Sequence, residues 1–180
     1  GVHYNYEYWP GLVSPEDTLF AFLKHAGWNV YVYGKSFHSF GGRLPHARYV
    51  DHFYSHALMT DPAGADRRNL DAAIYRMKHL PANRPFFMTV GIYDPHLPFV
   101  SEQRFRDLYP LGQIRLPSWR GDNPPNWVLP WLRRQGLTQA RNAGRLDNFI
   151  RGYLANISEM DFSLGRLIDN IDAHARNPLI

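Results

Sequence analysis

The sequence holds no cysteine, so no disulfide, thiolate metal site or cysteine nucleophile can be built from these 180 residues. Long apolar runs are missing too. The longest, such as Phe86-Phe87-Met88 and Val128-Leu129-Pro130-Trp131-Leu132, fall far short of the ~20 residues a spanning helix needs, which excludes a membrane span within them. Charge of one sign is not in large excess: 20 Lys+Arg against 16 Asp+Glu leaves +4, the balance of an ordinary solvated surface. With no nucleic-acid-binding motif beside it, that balance argues against a nucleic-acid partner. The one local concentration is Arg133, Arg134, Arg141 and Arg145, where an anionic partner is the alternative to a solvated face. What is present is apolar material, 44% hydrophobic and 15% aromatic, enough to offset the chain entropy lost on ordering in a single domain.

Gly1 to Pro10 shows neither an initiator Met nor a basic-then-apolar leader, and reads as the interior of something longer. Ser14-Pro15-Glu16-Asp17 supplies a cap, a first-turn proline and acids for a short helix that stops at Gly27. Trp28 to Tyr33, aromatic and β-branched between Gly27 and Gly34, reads as a strand. Lys35 to Ala65 shows no sustained period and reads as a long surface excursion. Asp66 then caps a helix with Leu70, Ala73, Ile74 and Met77 on one face. Phe86 to Ile92 is continuously apolar, the pattern of a strand covered on both faces in a parallel sheet. Ser101 opens a short helix through Leu108, and a Trp-, Pro- and Arg-rich stretch follows without regular structure. From Leu146 to Ile171 an apolar stripe runs for about seven helical turns. Asn177 to Ile180 looks like the start of another strand. The alternation predicts α/β layers.

Two polar spots directly follow predicted strands, where ligands bind in open α/β sheets. They are Gly34-Lys35-Ser36-Phe37-His38 and Tyr93-Asp94-Pro95-His96-Leu97-Pro98-Phe99. Taken singly, each is an ordinary turn: a solvated Lys35, and a His96 satisfied by backbone. Gly34-Lys35-Ser36 is not a phosphate-binding P-loop, because Asn29 stands where the upstream glycine is required.

Taken together and in order, these residues resemble the sulfatase family of the alkaline-phosphatase-like superfamily. The resemblance rests on Thr18-Leu19 through Lys24-His25-Ala26-Gly27-Trp28, on Gly34-Lys35, on Arg84-Pro85-Phe86-Phe87 with Pro95-His96-Leu97-Pro98, and on Tyr153-Leu154-Ala155 with Met160-Asp161 and Leu164-Gly165-Arg166-Leu167. His38 lies three residues after Lys35, with Phe37 between, where many arylsulfatase-like members place a histidine two after the lysine. That spacing, Pro95 to Phe99 and Leu108-Tyr109-Pro110 resemble the iduronate-2-sulfatase-like branch. The resemblance implies an alkaline-phosphatase-like α/β sandwich with a mostly parallel central sheet, incomplete at both ends. Residues 1–180 would be the central part of a single sulfatase catalytic domain.

The same resemblance implies a sulfate monoester hydrolase acting on a sulfated sugar, glycan or similar small molecule. The family's paired metal-binding aspartates and its formylglycine-forming Cys-x-Pro-x-Arg segment would precede Gly1, and its Asp-His-Gly would follow Ile180. Ca2+ and formylglycine are thus implied for the full-length protein with their residues outside this chain, no metal ligand within it, and no activity in the 180 residues alone. By analogy Lys35 bridges sulfate oxygens and the formylglycine hydrate, His38 hydrogen-bonds that hydrate, and His96 donates to a sulfate oxygen. A phosphonate or phosphate monoester hydrolase of the superfamily, or a non-catalytic anion-binding homologue, is the alternative.

For His3, His25, His46, His52, His56, His79 and His174 surface or loop placement is expected, with His46, His52 and His56 the ones that could line a cleft. Asp51, His52 and His56 have the i, i+4 histidine spacing of a helical metal site but no convincing helix to carry it. The aromatic, Arg-bearing stretch Trp119 to Arg134 reads as a packed surface loop, or as a surface that stacks on sugars and pairs with anions.

Overall fold

A computed structural model describes residues 14–36, 48–56, 61–81, 83–114, 145–175 and 178. They form two compact units. The first takes the described residues up to Tyr93 and from Arg166 onward; the second is Asp94–Gly165.

The first unit is built on three parallel strands, β1 (Asn29–Gly34), β2 (His52–Tyr54) and β3 (Phe86–Gly91), in the order β2-β1-β3. The expected α/β class with a parallel sheet is borne out. Every residue of β1 is buried. Its alternation feeds two cores: Val30 and Val32 pack with Leu23 of helix α1 (Leu19–His25), while Tyr31 and Tyr33 pack with Ala73 of helix α2 (Ala65–Lys78). A strand with a helix on each face sits at the centre of its sheet. The predicted stripe Leu70, Ala73, Ile74 and Met77 is buried as expected.

Several expectations are corrected. The Ser14 cap does not form; Pro15–Asp17 is a separate 3-10 turn, and extended Thr18 caps α1 by accepting the Ala21 N–H at 3.3 Å. Ser14 instead donates its hydroxyl to Glu16 at 2.7 Å. Asp66 is not the cap of α2, since Gly64 holds that position and Asp66 lies inside the first turn. The excursion after Lys35 contains β2, three residues too short to show a period; residues 37–47 and 57–60 are outside the described set. β3, expected to be covered on both faces, is half-buried throughout, because among the described residues only β1 pairs with it.

In the second unit, helix α3 is a single turn, Gln103–Arg106, shorter than expected and begun by Glu102 rather than Ser101. The long helix α4 (Leu146–His174) forms as predicted, its residues to Gly165 in the second unit and those from Arg166 in the first. The side chains it buries fully are small or polar (Gly152, Ala155, Asn156 and Ser163), whereas Tyr153, Leu164 and Ile168 of the apolar stripe are exposed. Among the described residues no helix is long and apolar enough to cross a membrane.

Candidate functional site

At the carboxyl edge of the sheet, β1 ends on Gly34 and turns into Lys35. Gly34 has φ +68, a left-handed value that favours glycine. The Lys35 N–H donates 2.9 Å to the Gly91 carbonyl, so the ladder between β1 and β3 extends one residue past their paired ends. Neither glycine tolerates a side chain: a Cβ on Gly34 would fall on the Gly91 carbonyl oxygen, and one on Gly91 would fall on the Lys35 backbone. Close backbone approach therefore fixes where Lys35 leaves the sheet. Ser36 is tied down beside it, its hydroxyl 3.1 Å from the Tyr33 carbonyl and 3.3 Å from Thr89 Oγ1.

Beyond β3, Tyr93 brings its ring centroid within 5.7 Å of Lys35 Nζ, inside cation–π range. The Tyr93 N–H is clasped by both carboxylate oxygens of Asp66, at 2.8 and 2.9 Å. Its phenol lies 3.5 Å from the Ser55 hydroxyl at the end of β2. Buried Asn69 fixes the next residue by accepting the His56 N–H at 2.6 Å and donating 3.1 Å to the His56 carbonyl. The first unit thus gathers Lys35, Ser55, His56 and Tyr93 at the ends of three parallel strands. Lys35 was legible from its glycine; the contributions of Asp66 and Asn69 were not, since each works through a backbone group distant in sequence, nor were the side-chain contacts of Ser55 with Tyr93 and of Tyr93 with Lys35, which join separate strand ends.

His96 belongs to the second unit, where it is exposed and its Nδ1 donates to the Leu97 carbonyl at 2.5 Å. That bond leaves Nε2 as the ring nitrogen available to an anion, and as a donor only when the ring is protonated. The Asp94–Pro95 and Leu97–Pro98 peptides are cis. Phe99 closes the segment, packing edge-on against Phe149 (centroids 5.0 Å apart) and Tyr153 (5.6 Å) of α4. His38, the third predicted site residue, lies outside the described residues, as do His3, His46, Trp119 to Arg134 and Arg141.

The remaining histidines divide. His25, His79 and His174 are exposed as expected, His79 taking its Nδ1 to the Tyr75 carbonyl at 2.7 Å. His52 is not in a loop but in β2 beside the Tyr33 ring; burial, then the nearby Arg76 charge, pushes its pKa below the ordinary imidazole value. His56 sits two residues past β2, so the i, i+4 spacing with His52 is not helical. Asp51 is engaged otherwise, by Lys24 at 2.6 Å and by the Val30 N–H at 2.7 Å. Burial is the largest single influence on that carboxyl and raises its pKa, but the hydrogen bonds from Lys24 and Val30 and the charges of Lys24 and Arg84 together hold it below the usual carboxylate value.

A Ca2+ site needs several oxygen donors converging, and a formylglycine needs a cysteine precursor. Among the described residues no three His, Asp or Glu side chains come together in that way, and the sequence has no cysteine. The described residues do not fit either group.

Comparison with known proteins places the chain. The model of the family described as "Sulfatase" matches residues 1–180. A "Sulfatase" of Formosa agariphila is 34% identical over 107 residues, 54% of this chain and 21% of that protein. "Iduronate 2-sulfatase" of Homo sapiens is 31% identical and that of Mus musculus 30%, each over 122 residues, 59% of this chain and 22% of theirs. The chain therefore spans about a fifth of the length of the curated relatives it matches. With a match running from its first residue to its last, the chain belongs to the sulfatase family.

Proposed function

We propose that the chain is the part of a sulfuric-ester hydrolase that handles the sulfate group, with the nucleophile and any metal ligands supplied from outside these 180 residues. The observation that carries this reading is the Gly34–Lys35 turn, held at the carboxyl edge of a parallel sheet by close approach to Gly91, in a chain of the sulfatase family. A lysine there is a point charge for non-bridging sulfate oxygens, whose negative charge shifts as the S–O bond breaks. His96 donates to a sulfate oxygen or protonates the departing one, and its Nδ1 bond to Leu97 leaves Nε2 for that task. By the family resemblance His38 is the third residue assigned a catalytic part. The substrate is a sulfated sugar or similar small molecule, a reading supported by the similarity to iduronate 2-sulfatases. The isolated 180 residues are inactive.

The test is hydrolysis by the full-length protein of an aryl sulfate, the matching aryl phosphate and an aryl phosphonate side by side, with the 180-residue chain assayed in parallel. The reading expects sulfate ester turnover to dominate, to fall on Lys35→Ala, and to be absent from the isolated chain. Dominant phosphate or phosphonate turnover would replace it with the other branch of the superfamily.

A further inference from the structure

We propose that Asn156 of α4 is a positioning residue that sets the place of His96 through the carboxylate of Asp94; the catalytic consequence rests on the reading of His96 given above. Asn156 is wholly buried within a helix interior, a position where asparagine is neither a strong helix former nor an apolar filler. Its Nδ2 donates 2.7 Å to Asp94 Oδ1, while its own Oδ1 has no hydrogen-bond partner among the described residues. A buried amide with one half unpaired weakens a fold relative to an apolar side chain of similar volume. What Asn156 supplies is therefore a directed bond to Asp94.

Asp94 opens the segment Asp94-Pro95-His96-Leu97-Pro98-Phe99, and the far end is fixed on the same helix. Phe99 lies so close over Gly152 that a Cβ there would come within 2.9 Å of the Phe99 Cβ. Gly152 and Asn156 are four residues apart, one turn along one face of α4. Both ends of a six-residue segment are thus fastened one helical turn apart, with His96 between them. The His96 ring is itself exposed and has no core packing to hold it, so its place is set by where the segment is fastened.

The experiment uses the full-length protein with 13C-labelled histidine. Asn156→Asp sets two carboxylates against each other, and adding Asp94→Asn restores an amide–carboxylate pair with donor and acceptor exchanged. The proposal expects Asn156→Asp to shift the His96 imidazole resonance, to lower kcat/KM on a sulfate ester of a poor leaving group about tenfold to a hundredfold, and the double variant to recover both. If Asn156→Asp does not fold, Asn156→Leu, uncharged and close in volume, takes its place with the same expected shift and loss. An unmoved His96 resonance in a folded Asn156 variant overturns the proposal. The resonance decides it whatever His96→Ala does to turnover, so a failure of His96 as a sulfate donor is distinguishable from a failure of Asn156 to place it.

Discussion

Lys35 and His96 are held in place by different means. Lys35 is set by backbone: a left-handed Gly34, a ladder hydrogen bond to Gly91, and two glycines whose missing side chains let the strand ends touch. His96 is set by side chains, with Asp94 bonded to a buried asparagine and Phe99 seated on a helix glycine. Backbone placement tolerates no added atom but is indifferent to the side chains nearby. Side-chain placement depends on the identity of residues some 60 positions away in sequence, and it can be adjusted one substitution at a time.

Substitutions at the two sites test that contrast, and the largest effect is expected at Lys35 itself. In the full-length protein Lys35→Ala lowers kcat/KM on a sulfate ester by about 100-fold or more, the scale of losing one donor to developing charge. Steady-state kinetics check this, and a loss below about tenfold would remove Lys35 from the chemistry.

Next come the glycines beneath it. Gly91→Ala and Gly34→Ala each cost about 1–3 kcal/mol or more, because the new Cβ meets backbone that cannot swing aside. Urea unfolding of each variant measures the cost. In α4 the same change should give opposite signs. Gly152→Ala, which meets the Phe99 Cβ at 2.9 Å, destabilises by about 1–2 kcal/mol, whereas Gly165→Ala, with nothing within 4 Å, stabilises by about 0.5–1 kcal/mol through helix propensity. Equal effects at the two glycines would mean that Phe99 is not seated where it is described.

The smallest effect is a pH dependence in the first unit. His52 and Asp51 both have folded pKa values below their unfolded ones, so in each case the unfolded chain takes up the proton first as pH falls. The unfolded state then binds more protons, and stability drops with falling pH. The His52 contribution is intact above the ordinary imidazole value of 6.5 and is lost below it; the Asp51 contribution is intact above the carboxylate value of 3.8 and is lost as pH falls through its lower folded value. Melting temperatures across pH should fall in these two windows, with the upper one flattened in His52→Gln.

How much of this was legible in the sequence follows from the same contrast. Gly34 before Lys35, and the β-branched and aromatic run ahead of it, are local signals, and they gave the strand, the turn and the parallel sheet. The stripe over Leu70, Ala73, Ile74 and Met77 was equally plain. β2 was not, because three residues cannot display a period, and β3 looked more buried than it is because continuous apolar sequence says nothing of which neighbours are present. The fastening of the His96 segment was invisible for a physical reason. Asn156 and Gly152 interrupt the apolar stripe of α4 and look like defects in it, yet they are where the helix meets Asp94 and Phe99.

The proposal that reaches furthest is that Lys35, set by backbone at the end of β1, handles the sulfate group. The most direct measurement is an experimental structure of the full-length protein with bound sulfate. Lys35 Nζ is expected on an oxygen of that ion at about 2.7–3.2 Å. Sulfate bound beyond the reach of Lys35 Nζ and a bridging water would contradict it.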